Sequence, residues 1–149
     1  DYGQRLTRAA ADVPEVELLQ TAPGIGPILG FTIASEIGDI TRFATAKHLV
    51  GYSGLCPRVI QSGDMDRRGP LTKHGPVWLR WALIEATVHA SRHPAYSQHH
   101  DNIVRRLGPQ RGSKVARVDT ARRLATAIWW MLTRGEPFAP RGSRLPLVV

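Results

Sequence analysis

The segment that decides the fold runs Thr21-Ala22-Pro23-Gly24-Ile25-Gly26-Pro27, and an apolar run follows it directly. That run consists of Ile28, Leu29, Phe31, Ile33, Ala34 and Ile37. Pro27 suits the first turn of a helix, because its fixed φ is helical and its missing N–H would have no partner there. The pattern therefore predicts a turn and then a helix that begins at Pro27 and ends at Gly38 and Asp39.

A second short helix is predicted before the turn, from Pro14 through Leu18 and Leu19, with two glutamates in its first turn. Helix, Pro-Gly-Ile-Gly turn and helix form a helix-hairpin-helix pattern over residues 14–38. In that interpretation the backbone at Gly24 and Gly26 approaches a phosphate at the start of the second helix. A plain turn between two packed helices fits the same residues, because no basic side chain follows the second glycine. Both interpretations stay open.

The remaining periodicity predicts a mainly α-helical, compact domain. Further helices are expected at 41–52, from 75 to about 92, at 95–107 and, with Ser113 as N-cap, from 113 to about 134. In the helix that follows Gly75 an apolar face predicts burial on most sides. Its members are Trp78, Leu79, Ala82, Leu83, Ala86 and Ala90, widened by Trp81, Ile84 and Val88.

The expected organisation is one domain over residues 14–138. Residues 1–13 are interpreted as the end of a connector helix that begins upstream, so the chain is expected to be a fragment. Residues 139–149 are expected to be an extended or disordered tail, because the end of the chain after Gly135 is rich in proline and arginine, with prolines at 137, 140 and 146.

Charge and composition narrow the class of protein. The 149 residues carry a net charge of +8, and the first 40 hold two basic and six acidic residues against eighteen and six in the rest. A polyanion is therefore expected to bind the part of the chain after Ile40.

No apolar run approaches the roughly 20 residues of a membrane helix. The single cysteine, Cys56, allows no internal disulfide, so a reducing cytoplasm is the expected location.

The segment between Cys56 and Gly75 is rich in glycine, proline and charge, which predicts an irregular loop or a short β-hairpin. Ser62 precedes the flexible Gly63 within it. Four cations share the segment: Arg58, Arg67, Arg68 and Lys73. Such cations attract a nucleic-acid backbone whether or not any bond is broken. The residues alone leave Ser62 either as a nucleophile or as a turn residue whose hydroxyl bonds the backbone.

Histidines near the end of the predicted 75–92 helix are a weak indication of zinc. His89 and His93 are spaced i, i+4, and His99, His100 and Asp101 follow. The glutamate of the HExxH motif is missing, so no metal site is assigned.

Several spaced motifs resemble, in chain order, the C-terminal transposase domain of the insertion-sequence "one-ten" family. The matching stretches are Ala22-Pro23-Gly24-Ile25-Gly26-Pro27, Glu36-Ile37-Gly38-Asp39-Ile40, Arg42-Phe43, Gly54-Leu55-Cys56-Pro57, Ser62-Gly63, Arg68-Gly69-Pro70-Leu71-Thr72-Lys73-His74-Gly75 and Leu79-Arg80. The resemblance covers roughly residues 14–138. This chain departs from the family pattern at Pro76, at Asp64 and Asp66, and at Arg111-Gly112-Ser113.

The resemblance implies a recombinase that combines a RuvC-like DEDD domain, a coiled-coil connector and a C-terminal serine domain. It implies that Ser62 attacks a DNA phosphodiester and holds the strand as a phosphoserine, while Mg²⁺ is bound by acidic residues of the RuvC-like domain. The partners it implies are DNA, a guide (bridge) RNA, the protein's own RuvC-like domain and a second copy of the protein, in a dimer or tetramer. The residues expected to bind nucleic acid are Gly24, Gly26, Arg58, Arg67, Arg68, Lys73, Arg80, Arg117, Arg122 and Arg123.

Two other functions are compatible with the sequence. One is a non-catalytic helix-hairpin-helix module that binds the nucleic-acid backbone, for which Ser62 would be unimportant. The other is an architectural domain that dimerises a longer transposase through the Trp78/Trp81 and Trp129/Trp130 surfaces.

Overall fold

The structure, a computed structural model, describes residues 13–55 and 75–139, with side chains in the second range from Val77 onward. Its helices are α1 (Pro14–Leu19), α2 (Pro27–Ile37), a 3₁₀ turn (Ile40–Arg42), α3 (Ala46–Tyr52), α4 (Gly75–Ala90), α5 (Ser97–Leu107) and α6 (Pro109–Arg134). These two ranges contain no strand, so the prediction of a mainly α fold is confirmed. The predicted connector helix, the possible hairpin around Ser62 and most of the predicted tail lie outside the described residues.

Helix α6 is the element against which the others pack. It contacts α5, α3, α4, α1 and the 3₁₀ turn. Its buried face is built largely from small and aliphatic residues: Ala116, Thr120, Ala121, Leu124, Ala125, Ile128 and Met131. At 1.5 Å per residue its 26 residues extend about 39 Å. One continuous helix thus supports these elements, while α2 packs against α4 and α1.

The predicted helix pair around the Pro-Gly-Ile-Gly turn is present. Helices α1 and α2 begin at the predicted prolines, and Gly38 follows the last residue of α2. Val16, Ile33 and Ile37 are buried.

The predicted helix over residues 41–52 is divided in two. Asp39 starts the 3₁₀ turn, because its carboxylate accepts hydrogen bonds from the Thr41 backbone N–H at 2.9 Å and the Thr41 hydroxyl at 2.7 Å. These two bonds, the backbone one first, lower the pKa of Asp39 below its ordinary value. Thr45 then caps α3 by accepting a bond from the His48 N–H. Two capping residues six positions apart therefore start two short elements instead of one.

The predicted start of the last helix at Ser113 is wrong, because α6 already begins at Pro109. Gly108, with φ +94°, is the only residue between α5 and α6. The Ser113 hydroxyl donates to the Pro109 carbonyl one turn back inside the helix. A Cβ on Gly112 would lie 2.7 Å from Val104 Cα, so this glycine allows α5 and α6 to approach closely.

The predicted burial of α4 is correct for one face and wrong for the tryptophans. Leu79, Ala82, Leu83, Ala86 and Ala90 are buried. In contrast, Trp78 is 59% exposed, Trp81 43% and Val88 51%. At 100° per residue these three side chains cluster on the side of α4 opposite the buried face. The core between α2 and α6 is filled by the alanine and leucine side, which leaves the tryptophans on the surface.

Residues beyond α6 fold back onto the domain as far as Ala139. Gly135 ends the helix in the left-handed conformation. The Phe138 N–H donates to Thr21 Oγ1 at 2.9 Å, and its ring meets the rings of His93 and Tyr96 edge to face. Burial of Tyr96 at this contact raises its pKa to about 12.

Candidate nucleic-acid site at the base of the Ser62 segment

Ser62, Arg58, Arg67, Arg68 and Lys73 lie outside the described residues. The structure does describe the two places where their segment joins the fold. Leu55, which follows α3, is buried, and α4 begins at Gly75. The described cations near these two points define the candidate site.

Arg80 and Arg122 converge on the residues just before the Ser62 segment. Nη1 of Arg122 donates a hydrogen bond to the Leu55 carbonyl oxygen at 3.4 Å. A Cβ on Gly54 would overlap the guanidinium of Arg80, whose central carbon is 3.5 Å from that position. Two predicted binding residues, from α4 and from α6, are thus brought to one site.

Asp119 determines where the two arginines of α6 point. Its Oδ1 accepts from Arg122 Nη2 at 3.0 Å and its Oδ2 from Arg123 Nε at 2.9 Å. Arg123 also contacts the His99 ring at 3.0 Å, so it faces α5. One carboxylate therefore holds Arg122 beside Leu55 and Arg123 beside α5. Arg117 lies elsewhere, beside the end of α4.

Gly24 and Gly26 differ in their surroundings. Gly24 has φ +84°, and a Cβ there would overlap the Ala86 carbonyl oxygen and lie 3.2 Å from the Ala90 nitrogen. Its close approach is therefore to the backbone of α4. Gly26 has no atom within 4 Å of its Cβ position and its carbonyl accepts the first bond of α2. Of the two, Gly26 is the one with open space in front of it.

The exposed pair Trp78 and Trp81 was assigned to the core by sequence reasoning. The two rings pack edge to face with centroids 6.0 Å apart, on the first two turns of α4. Glu85 and His89, which share their side of the helix, are the signal that this side faces solvent. Exposed aromatic rings are suited to stacking on bases or to packing against another protein surface.

The histidines have other partners. His99 Nε2 lies 3.0 Å from Asp119 Oδ2, and His93 Nδ1 accepts from the Ala95 N–H at 3.0 Å. Within residues 13–55 and 75–139, no three metal-binding side chains are grouped so that they could hold an ion. None of the described helices has both the length and the apolar character needed to cross a membrane.

A family model described as the transposase IS116/IS110/IS902 family matches residues 16–101, from α1 into α5 and across the Ser62 segment. The chain belongs to this transposase family. The expected resemblance is therefore confirmed at the level of the family.

Similar proteins in this transposase family come from several bacteria. The transposase for insertion sequence element IS1111A of Coxiella burnetii is 30% identical over 93% of this chain and 38% of its own length. A probable family 20 transposase of Pseudomonas aeruginosa is 30% identical over 84% of the chain and 37% of its length. The pilin gene-inverting protein of Moraxella bovis is 34% identical over 83% of this chain and 38% of its own length. The chain thus spans little more than a third of these relatives. No solved structure matches it.

Proposed function

We propose that the chain is the part of a DNA transposase that supplies Ser62 to a composite active site. The observation that carries the proposal is the family match across residues 16–101, together with the meeting of Arg80 and Arg122 at Gly54 and Leu55. The guanidiniums are close to the point where the Ser62 segment leaves the fold. Positive charge there would favour a bound DNA phosphate.

The proposed reaction is a phosphoryl transfer without net loss of bond energy. Ser62 Oγ forms a bond to phosphorus, the bond from phosphorus to one deoxyribose oxygen breaks, and that oxygen takes up a proton as it leaves. The Oγ proton passes to a general base that the described residues do not identify. Attack by another strand's hydroxyl on the phosphoserine reverses these steps and restores Ser62, so no ATP is needed.

Arg122 has a positioning role in this proposal. Its hydrogen bond to the Leu55 carbonyl fixes the start of the Ser62 segment on α6, and its bond to Asp119 fixes the guanidinium. Arg80 adds a second positive charge at the same place, where it would stabilise charge developing on the phosphate oxygens.

The family resemblance assigns Mg²⁺ to a RuvC-like domain outside this chain. The described residues do not group three metal-binding side chains of their own. The resemblance also extends the proposal to a bridge RNA and to a second copy of the protein as partners.

Substitution of Ser62 in the full-length transposase tests the proposal. Ser62→Ala should abolish strand cleavage and the covalent protein–DNA product on denaturing gels, while DNA affinity stays within about twofold, because a neutral hydroxyl adds little to charge-driven binding. Ser35→Ala, which changes an exposed serine of α2, serves as the control and should cleave normally. Parallel loss of cleavage and binding in Ser62→Ala would instead identify a structural serine.

The exposure of Trp78 and Trp81 supports a second function, in which α4 mediates dimerisation. Trp129 does not share this role equally, since it is half-buried and its Nε1–H donates to the Phe43 carbonyl at 2.9 Å. Sedimentation of the wild type and of Trp78→Ala/Trp81→Ala separates the two functions. A wild type that stays monomeric at high concentration would exclude this surface as a stable dimer interface.

A further inference from the structure

A polar cavity of about 600 Å³ lies where the end of α4, the start of α5 and the first half of α6 meet. Its lining includes five side chains that can donate hydrogen bonds: Arg92, Arg117, His100, Ser91 and Ser97. Ser113 also lines it, but its hydroxyl donates to the Pro109 carbonyl. It is distinct from the base of the Ser62 segment, because it contains neither Arg80 nor Arg122. The concentration of guanidinium and hydroxyl groups favours an anionic ligand.

The two arginines of the cavity differ from those near Asp119. Within the part of the chain that the structure describes, no carboxylate oxygen lies within 4.0 Å of the guanidinium of Arg92 or Arg117. By contrast, Arg122 and Arg123 share the carboxylate of Asp119. Both cavity arginines are also exposed. Among the described residues, therefore, no carboxylate in contact neutralises either of these two exposed charges.

Among the residues that the structure describes, Asp101 is the one acidic residue that lines the cavity. Its side chain is 66% exposed and its Oδ1 lies 3.2 Å from His100 Nδ1. One solvated carboxylate next to an imidazole opposes two guanidiniums, so the cavity keeps a net positive charge.

We propose that this cavity binds a backbone phosphate of the nucleic acid on which the transposase acts. The assignment of the ligand to nucleic acid rests on the proposed function. The non-bridging oxygens of a phosphodiester accept bonds from guanidinium and hydroxyl donors, which is the commonest kind of protein–DNA contact. DNA and RNA present the same group, so the chemistry defines the ligand as a phosphodiester from either source.

The position of the cavity relative to Arg80 predicts the distance between two bound phosphates. Arg80 and Thr87 of α4 are spaced i, i+7, and Ser91 continues the same side just past the end of the helix, where its N–H donates to the Thr87 carbonyl. Arg80 marks the base of the Ser62 segment, and Thr87 and Ser91 line the cavity. The eleven-residue rise from Arg80 to Ser91 is about 16 Å, or about five base pairs of duplex at 3.4 Å per step.

Binding measurements on the full-length transposase test this site. The variant Arg92→Ala/Arg117→Ala is compared with Arg105→Ala/Arg106→Ala, which removes two charges from exposed positions of α5 outside the cavity. Fluorescence anisotropy over a series of salt concentrations is measured with one labelled DNA duplex and with an RNA of the same sequence. The cavity variant should bind about tenfold more weakly, and its slope of log affinity against log salt should fall by about 1 to 2. The control should lose less than half of that slope.

A phosphate scan provides a readout in the wild-type protein. Uncharged methylphosphonate groups are placed one at a time along the duplex. The scan should show a position at which wild-type affinity falls because that phosphate occupies the cavity, about five base pairs from the phosphate held at Arg80. The same substitution should not weaken Arg92→Ala/Arg117→Ala further. The variant Arg92→Lys/Arg117→Lys, which keeps both charges, should retain most of the affinity and serves where the alanine variant does not fold.

The outcomes separate this proposal from the role of Ser62. Equal loss of DNA and RNA binding, or loss for one of them only, supports the cavity and identifies its source of phosphate. Cavity variants that bind like the control, or a phosphate scan without such a position, overturn the cavity even if Ser62→Ala still abolishes cleavage. If the cavity variants weaken binding as expected but the Ser62→Ala enzyme still cleaves DNA, the serine proposal is overturned instead.

Discussion

The Arg122 side chain of α6 donates a hydrogen bond to the backbone carbonyl of Leu55, a residue 67 positions earlier in the chain. Leu55 is the last described residue before the Ser62 segment, and Arg122 is itself held by Asp119 at 3.0 Å. The start of this segment is therefore fixed to the longest helix of the fold by a charged donor and a backbone acceptor.

Removal of this contact should destabilise the domain and weaken catalysis. Arg122→Ala leaves the Leu55 carbonyl without this partner and should lower the free energy of unfolding by about 1–2 kcal/mol in urea titrations. Arg105→Ala removes an exposed arginine bonded to Asn102 on α5 and should cost less than about 0.5 kcal/mol. Equal stability of the two variants would show that the Leu55 contact contributes nothing. Cleavage by full-length Arg122→Ala should fall more than its DNA affinity.

The two glycines of the helix-hairpin-helix pattern should respond differently to alanine. Gly24→Ala places a methyl group against the Ala86 carbonyl at a positive φ and should destabilise the fold by about 3 kcal/mol or more. Gly26→Ala has open space and an extended φ, and should cost less than about 1 kcal/mol. Thermal unfolding of both variants checks this. Similar losses at both positions would contradict the packing role of Gly24.

Gly51 and Gly112 form a second matched pair, because both lie inside helices. Gly51→Ala meets no atom within 4 Å and should stabilise α3 by about 0.5–1 kcal/mol through helix propensity. Gly112→Ala brings a methyl group to 2.7 Å from Val104 Cα, so overpacking should exceed that gain and give a net loss of about 1–2 kcal/mol. Denaturant midpoints measure both. A stabilised Gly112→Ala protein would show that α5 and α6 separate at little cost.

Adjacent tryptophans of α6 should also behave differently. Trp129→Phe removes the donor to the Phe43 carbonyl and part of a packed ring, and should cost about 1–3 kcal/mol. Trp130 is 45% exposed, and the guanidinium carbon of Arg134 lies over its ring, 4.4 Å from the centroid. Trp130→Phe should therefore cost less than about 1 kcal/mol. Urea titrations of the two variants distinguish these values. A larger loss at Trp130 would contradict the described burial.

Alkaline pH should reveal the burial of Tyr96. Its pKa is raised from 10.0 to about 12 in the folded protein, so the neutral phenol stabilises the fold fully below pH 10.0. As the pH rises from 10.0 to about 12, that contribution, on the order of 2–3 kcal/mol, is lost. Tyr96→Phe cannot ionise and should lose less stability than the wild type over this interval, as measured by urea titrations at both pH values. Equal losses of stability in the wild type and in Tyr96→Phe would contradict the raised pKa of Tyr96.

Sequence periodicity predicted the helices well where the hydrophobic pattern and the caps agree. The prolines before α1 and α2 and the glycine after α2 set their bounds, and the mainly α class followed. The start of α6 was missed because Gly108 and Gly112 suggested a turn, whereas Gly112 serves a contact with Val104 that only the tertiary structure reveals. Likewise, the apolar spacing of α4 identified Leu79 and Ala82 but did not show which side of a mostly apolar helix the neighbouring helices cover.

The candidate site was predictable in its chemistry but not in its grouping. Arginines at 80, 117, 122 and 123 all fitted a phosphate-binding role by charge. The structure divides them, because Asp119 directs Arg122 and Arg123 to different sides while Arg117 joins Arg92 at a separate cavity. Such a division depends on side-chain partners distant in sequence, as with Arg123 and His99, and no local pattern encodes it.

Helix α6 carries both Arg117 and Arg122, and no loop lies between them. Arg117 and Arg122 are therefore separated by a fixed rise of about 7.5 Å along one helix, which changes in the surrounding loops do not alter. An extra residue inserted between positions 117 and 122 would rotate one end by about 100° relative to the other. In such a transposase Arg117 and Arg122 could each still contact a phosphate. The two arginines would no longer be oriented so that one nucleic-acid strand contacts both.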